Sequence, residues 1–148
     1  MPSKDETRAA YAHFQTIPTR WMDKDVYGHV NNVQYYSYFD TVVNQWLIER
    51  DLLDYLHSEV IGLVIETSCA YFSPIAFPDA IQAGLRVAHL GNSSVRYEVG
   101  LFRNGEDTVA AAGHFIHVYV DRATSRPTPV PDAMRAALTA LQMTRSPS

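Results

Sequence analysis

The sequence predicts an α+β domain in which one antiparallel sheet curls around one long helix. Three observations lead to this prediction: a long helical segment with a broad apolar stripe, four β-rich runs after it, and a length of 148 residues, which suits one domain. Apolar residues make up 47% of the chain, which is enough to bury a real core. One sheet wrapped around the helix satisfies this order of elements economically.

The composition argues against several other classes of protein. The formal net charge of −4 disfavours a nucleic-acid binder, which needs a concentrated basic excess. No segment reaches the roughly 18 uncharged apolar residues of a membrane span, and the first residues do not resemble a signal peptide. A single cysteine, Cys69, cannot form an internal disulfide or a zinc site by itself. We therefore expect a cytoplasmic protein without a nucleic-acid partner, a membrane partner or a metal site.

The first predicted strand covers residues 13–22, where apolar and polar residues partly alternate. Pro18 within this run favours a sheet edge or a bulge, because proline has no N–H to donate. The polar residues 1–12 before it predict a loose tail or a short terminal helix. A polar loop that contains Gly28 follows the strand.

The long helix is predicted from residue 33 to about residue 50. Asn31 is a good N-cap for it. Apolar residues recur at helical spacing over about three turns, and their breadth and aromatic character predict a helix that the sheet wraps. These residues are Tyr35, Tyr38, Phe39, Val42, Val43, Trp46 and Leu47.

Four further strands are predicted at residues 62–72, 79–89, 94–103 and 108–121, with glycine, asparagine or proline at each turn. Asn104-Gly105 is the strongest hairpin signal. His114 and His117 are three residues apart on the last strand, so they are predicted to point to opposite faces and to make a poor metal pair. A proline-rich passage leads to a final helix over residues 132–142. We predict one domain over residues 13–135, with the helix end and a tail at 136–148.

The densest cluster of reactive side chains lies directly before the long helix: Asp23, Asp25, His29, Asn31 and Asn32. The first turn of a helix has unpaired N–H groups and a partial positive charge, which can hold a carbonyl oxygen as it becomes an oxyanion. A carboxylate on a loop that folds back can attack that carbonyl or deprotonate a water. Taken alone, the same residues also fit a solvated turn, a helix cap and a packed histidine.

The run from Arg20 to Tyr35, continuing to Phe39-Asp40, resembles the signature of the hotdog-fold acyl-CoA thioesterases, in the 4-hydroxybenzoyl-CoA thioesterase-like branch. The resemblance rests on Asp-x-Asp-x-x-Gly-His-Val-Asn-Asn before an aromatic helix, with weaker support from Phe72-Ser73-Pro74. It covers about residues 13–135. It implies a five-stranded antiparallel sheet around a central helix, and a homodimer or a dimer of dimers (a homotetramer). It also implies hydrolysis of an acyl thioester of coenzyme A or acyl carrier protein, with no cofactor beyond the substrate.

The resemblance implies three catalytic residues. Asp25 matches the catalytic carboxylate, which acts as a general base or as a nucleophile. Asn32 matches the residue whose backbone N–H polarises the thioester carbonyl. His29 orients Asp25 or the thioester, or braces the loop. Asp23 is interpreted as a structural residue that pairs with Arg20 or caps the turn. The residues implied around the substrate are Gly28, Asn31, Val33, Tyr35 and Tyr36.

Two points stay open at the level of sequence. Several aromatic residues either line the acyl channel or belong to the ordinary core: Tyr35, Tyr36, Tyr38, Phe39, Phe72 and Phe77. The family's basic cluster for the coenzyme A phosphates is replaced by residues 89–94, which carry no arginine or lysine, so the carrier stays open.

A hotdog module that binds acyl-CoA without hydrolysis is the alternative function. Asp25 favours the enzyme, because a carboxylate beside a helix end is useful mainly when something is attacked.

Overall fold

Five antiparallel strands form one sheet with a long helix on its inner face, in a computed structural model that describes residues 4–54 and 57–143. The strand order is β1-β3-β4-β5-β2, so the first and second strands are the two edges. The predicted α+β fold, with a five-stranded sheet around one long helix, is confirmed. The elements are β1 (His13–Pro18), α1 (Asn32–Glu49), β2 (Val60–Tyr71), β3 (Ala80–Leu90), β4 (Ser94–Arg103), β5 (Ala111–Asp121) and α2 (Asp132–Thr139).

The apolar stripe of α1 forms the centre of the core. All seven apolar residues that were assigned to the stripe are buried, and Phe39, Val42 and Val43 are completely covered. Side chains of β5 alternate between the two faces of the sheet, and those on the inner face pack against α1. Phe115, which lies 5.8 Å from Phe39 between ring centroids, is buried on the inner face. The helix is therefore held by the sheet along its length.

The two histidines of β5 lie on opposite faces of the sheet, as predicted. His117 is buried on the inner face with Phe115 and Tyr119. On the outer face, the imidazole of His114 is hydrogen-bonded to Glu66 and Ser68 of β2 at 2.9 and 3.0 Å. They cannot share one metal ion.

β1 ends at Pro18, which is earlier than the predicted residue 22. Trp21–Asp23 forms a short 3-10 helix instead, because the Asp23 carboxylate accepts a hydrogen bond from the backbone N–H of Arg20 and closes a capping box. This local hydrogen bond between a side chain and the backbone favours a turn over continuation of the strand.

The last strand and the last helix are also shorter than predicted. β5 begins at Ala111, and Thr108 makes only an isolated bridge with Thr7. α2 ends at Thr139, because the next residues pair with β3: the carbonyl of Leu141 accepts a hydrogen bond from the N–H of Val87 at 2.9 Å. Leu138 and Leu141 are buried in the main core. The domain limits of 13 and 135 stay predictions.

The segment before β1 packs against the outer face of the sheet. Arg8–Ala10 is a short 3-10 helix, which is one of the two alternatives for residues 1–12. Tyr11 is buried across Gly84 and Gly100, where a Cβ atom at Gly100 would lie 2.5 Å from the Tyr11 ring. These two glycines provide the groove in which Tyr11 lies.

One edge of the sheet presents apolar side chains. On the edge strand β2, Leu63, Val64 and Ile65 are 44%, 48% and 63% exposed. A register shift between Val64 and Glu66 interrupts the pairing with β5 at this point.

No helix within residues 4–54 and 57–143 has the length and apolar character needed to cross a bilayer.

Candidate active site

A cleft of about 310 Å³ opens at the N-terminal end of α1. It lies between the loop that precedes this helix and the connection that leads from β2 to β3. All three residues predicted as catalytic line this cleft. The lining residues are Asp25, His29, Val30, Asn32, Tyr35, Tyr71, Phe72, Ser73 and Pro74.

Asp23 anchors the loop rather than facing substrate. Its carboxylate is fully buried and accepts hydrogen bonds from the backbone and guanidinium of Arg20 at 2.8–3.0 Å. The Tyr38 hydroxyl donates a fourth hydrogen bond to it, at 2.8 Å. Burial alone would raise the pKa of Asp23, but these hydrogen bonds outweigh it and hold the pKa below the usual value. The structural role expected for Asp23, with Arg20 as partner, is confirmed.

Asp25 organises the turn that leads to the helix. One carboxylate oxygen, Oδ1, accepts hydrogen bonds from the backbone N–H groups of Tyr27 at 2.8 Å and His29 at 3.3 Å. Gly28 has a φ of +82°, a conformation that glycine adopts at no steric cost, and this closes the turn. Within the described part of the chain, the second oxygen, Oδ2, accepts no hydrogen bond. Asp25 is therefore oriented by one oxygen and keeps the other available.

The start of α1 leaves a backbone donor available in the same cleft. The side chain of Asn31 accepts a hydrogen bond from the N–H of Val33 at 3.0 Å, and its carbonyl accepts one from Gln34. The N-cap role predicted for Asn31 is confirmed. Among the described residues, no group accepts a hydrogen bond from the N–H of Asn32. The side chain of Asn31 thus binds the N–H of Val33. The N–H of Asn32 stays available to a ligand, beside the partial positive charge of the helix end.

The loop is fixed to the opposite wall of the cleft through backbone contacts. Val30 donates to the carbonyl of Ile75 at 2.6 Å, and His29 forms an isolated bridge with Ala76. The side chain of His29 is exposed at the mouth. Its backbone, not its imidazole, contacts the carboxylate of Asp25.

Aromatic side chains form one wall of the cleft. The rings of Tyr35 and Tyr71 meet edge to face, with centroids 4.8 Å apart. Burial raises the pKa of both hydroxyls, so both stay neutral donors at physiological pH. Tyr71 was not identified from the sequence. Its signal was its place in the run that ends at Phe72-Ser73-Pro74.

The other predicted substrate residues lie around the cleft, not in its wall. Gly28 forms the turn, Asn31 is the cap and Val33 is 70% exposed on the first turn. Tyr36 packs against Phe39 of the core. Contact of these four residues with substrate stays a prediction.

The structure also places the remaining aromatic candidates. Tyr38 and Phe39 are core residues. Phe77 packs edge to face on Trp21 outside the cleft wall, whereas Phe72 lines the cleft. In the described residues, no group of three histidine, cysteine or acidic side chains is placed to hold a metal ion.

Cys69 lies on β2, two residues before Tyr71, and is partly buried. Burial raises the pKa of its thiol to about 12. It is therefore a protonated, unreactive group at neutral pH.

Comparison with known proteins supports a thioesterase. A family model described as the Thioesterase-like superfamily matches residues 19–138. The chain is 57% identical to the PA5185 protein of Pseudomonas aeruginosa, over 95% of this chain and 99% of that one, with a TM-score of 0.92. It is 34% identical to the PA2801 protein of the same species, over 86% and 98%, with a TM-score of 0.80. A thioesterase from Thermus thermophilus, solved with coenzyme A and zinc, is 30% identical over 90% and 96%, with a TM-score of 0.75.

The fold, the cleft and these similarities define a hotdog-fold thioester hydrolase. The chain belongs to the thioesterase-like superfamily.

Proposed function

We propose that the protein hydrolyses an acyl thioester of coenzyme A to a free acid and a thiol, with Asp25 and the N–H of Asn32 acting on the same carbonyl. The observation that carries this proposal is the pairing of two available groups in one cleft. Oδ2 of Asp25 and the Asn32 N–H are unpaired within the described residues, while their neighbours Oδ1 and the Val33 N–H are used to hold the loop and the cap.

The reaction needs a group that attacks and a group that stabilises the oxyanion. The N–H of Asn32 donates to the thioester oxygen, which gains negative charge as the tetrahedral intermediate forms. As a general base, Asp25 takes a proton from the attacking water, and the thiolate leaves when the carbonyl re-forms. As a nucleophile, Asp25 instead attacks the thioester carbonyl and displaces the thiolate, and water then hydrolyses the resulting anhydride. Neither route requires a cofactor beyond the substrate.

The two routes differ in the fate of one oxygen atom. In a single turnover in ¹⁸O-labelled water, the general-base route places the label only in the released acid. The nucleophile route permits label to enter the Asp25 carboxylate when water attacks the carboxylate carbon of the anhydride. Label found by mass spectrometry in the peptide that contains Asp25 would therefore identify the nucleophile route.

Coenzyme A is proposed as the carrier because the Thermus thermophilus relative binds it. The arginines near the predicted nucleotide position contribute little to this proposal. Arg86 is buried in ion pairs with Glu98 and Glu6 at 2.8 and 2.9 Å, and Arg96 also pairs with Glu98 at 3.0 Å. We infer a nucleotide that makes few charged contacts.

A homodimer, or a dimer of two dimers, is the proposed assembly. The apolar side chains of Leu63, Val64 and Ile65 on the edge strand β2 support it, since an exposed apolar edge favours pairing with another strand. A cytoplasmic location stays a prediction.

The test of the proposed function is thiol release from a panel of short, medium, long and aromatic acyl-CoA thioesters, run beside matched acyl carrier protein thioesters. Asp25→Asn keeps the shape and removes the charge, so kcat on the best substrate should fall by about 10²–10⁴. Asp40→Asn, which changes an exposed carboxylate of α1, is the matched control and should retain activity. Undiminished kcat in Asp25→Asn would remove Asp25 from the mechanism. Binding of acyl-CoA without thiol release would indicate the binding module instead.

A further inference from the structure

A second cavity, of about 220 Å³, lies at the other end of α1. Asn44 and Leu47 of the helix border it, 12 and 15 residues after Asn32, which is about 18–22 Å along the helix axis. Its apolar wall consists of Leu47, Leu53, Ile61 and the ring of Tyr119. Cavities of about 150 Å³ in other proteins hold one benzene molecule. The space is therefore sufficient for a single ring with a small substituent.

Three polar side chains also line the cavity: Asn44, Arg122 and His117. Asn44 and Arg122 donate hydrogen bonds to Asp40 and to the carbonyl of Ser58, whereas His117 is buried in the wall. The residue is 4% exposed, and neither of its ring nitrogens has a hydrogen-bond partner among the described residues. Burial lowers the pKa of His117 to about 4, so the ring is neutral at pH 7. A neutral imidazole offers one N–H donor and one acceptor. Both are unused by the protein.

Gly62 lets this ring and the ring of Tyr119 pack closely against β2. A Cβ atom at Gly62 would lie 3.0 Å from Nδ1 of His117 and 3.2 Å from Cε1 of Tyr119, both closer than ordinary contact. Any larger residue on β2 at this position would cover the imidazole. His117 lines the cavity, and a rotation of its ring about the Cβ–Cγ bond, a torsion that is broad in histidine, turns a ring nitrogen toward a ligand held there.

The chemistry of the wall selects the ligand. The aliphatic and aromatic groups favour an apolar body. The buried neutral imidazole favours a hydroxyl, which can both donate and accept, over a charged group that would have to be desolvated. We propose that this cavity is a second small-molecule site, distinct from the catalytic cleft, for a single-ring or similarly sized molecule that carries one uncharged hydroxyl group bound by His117.

The experiment compares phenol with benzene, which has the same ring without the hydroxyl. Calorimetric titration of the full chain at pH 7 should show phenol binding about tenfold tighter than benzene, the effect of one hydrogen bond. His117→Phe keeps an aromatic ring and removes both nitrogens, so phenol and benzene should then bind equally. Gly62→Ala should weaken phenol binding. His114→Phe, on the outer face of the same strand, is the matched control and should keep the preference for phenol.

A second measurement uses the unaltered protein. Histidine labelled with ¹⁵N gives signals from six residues, and the signals absent from His117→Phe identify His117. Saturating phenol should shift the ¹⁵N signals of His117, because its hydroxyl bonds to a ring nitrogen. Benzene should leave the protonation state of the two ring nitrogens unchanged. The proposal is wrong if the wild-type protein shows no saturable phenol binding, or if the His117 signals do not move while phenol binds. It is also wrong if His117→Phe retains the preference for phenol. Thiol release from acyl-CoA is measured separately, so failure of either proposal leaves the other intact.

Discussion

The hydroxyl of Tyr38 donates a 2.8 Å hydrogen bond to Oδ2 of Asp23, and this contact joins the second turn of α1 to the start of the loop that carries Asp25. The carboxylate of Asp23 also accepts hydrogen bonds from Arg20. Its backbone carbonyl accepts a hydrogen bond from the N–H of Asn31 at 2.8 Å. The position of the helix end relative to the loop is therefore fixed by buried polar contacts outside the cleft.

Removing this anchor should destabilise the fold more than it slows turnover. Tyr38→Phe deletes one hydrogen bond to a charged group, and Asp23→Asn weakens all four that the carboxylate accepts, so we expect losses of about 1–3 kcal/mol in the free energy of unfolding. The folded-state pKa of Asp23 is lowered, so its contribution is present above the unfolded value near 3.8 and is lost as pH falls through the folded value. Urea unfolding at pH 7 and at pH 3 checks this. A difference between wild type and Asp23→Asn that grows on acidification would contradict it.

The N–H of Asn32 can be deleted without deleting the helix. Proline is tolerated at the first position of a helix, and the preceding Asn31 already has the extended conformation that a following proline requires, with φ −66° and ψ 141°. Asn32→Pro should fold, bind a non-hydrolysable acyl-CoA analogue, and lose about 10²–10³ in kcat. Asn32→Ala retains the N–H and serves as the control. Equal kcat in the alanine and proline variants would mean that the carbonyl is held elsewhere.

Asn31→Ala separates capping from catalysis. The side chain of Asn31 accepts the N–H of Val33, and loss of an N-cap costs about 1 kcal/mol. We expect a lower midpoint in chemical unfolding with the Asn32 N–H still in place. A loss of activity as large as that of Asn32→Pro, in a fully folded variant, would place Asn31 in the chemistry.

The edge strand β2 should control assembly. Ile65 is 63% exposed beside the register shift, and Ile65→Lys places a charge where a second strand would pair. Wild-type protein should scatter light as a species of at least twice the chain mass of 16.7 kDa, and the variant should approach the mass of one chain. Ile48→Lys, at an exposed site on α1, should leave the assembly unchanged. A wild-type mass of one chain at micromolar concentration would exclude the dimer.

His117 should make the fold sensitive to acid. Its folded-state pKa is lowered to about 4, so between this value and its ordinary value of 6.5 the unfolded chain takes up a proton that the folded chain refuses. Stability is therefore lost as pH falls through this window, by about 3 kcal/mol in total. His117→Phe removes the effect, and its advantage over wild type in unfolding free energy should grow from pH 7 to pH 4. A constant difference across this range would show that burial of His117 carries no such cost.

The features that could be predicted from sequence are those fixed by neighbours along the chain. Asn31 caps α1 two residues away, Asp23 pairs with Arg20 three residues away, and the stripe of α1 follows the helical period. These interactions join residues that are close along the chain, so a local sequence pattern is enough to predict them.

Features that depend on pairing between distant strands could not be predicted in the same way. Tyr71 reaches the cleft because β2 pairs with β5 in a register that places it opposite Ala111, after a shift at Val64. His117 packs closely against β2 because Gly62, 55 positions earlier, lies across the same pair of strands. The face of His117 followed from alternation, but its cavity did not.

The burial of Cys69 has a practical consequence for measuring the reaction. The thiol product of hydrolysis is commonly followed with a disulfide reagent, which reacts with thiolates. With a pKa of about 12, only about one Cys69 thiol in ten thousand is ionised at pH 8, so the native enzyme adds almost no background to the colour that the product gives. Unfolding the chain should release one titratable sulfhydryl per molecule, which makes the same reagent a count of unfolded protein in any variant preparation.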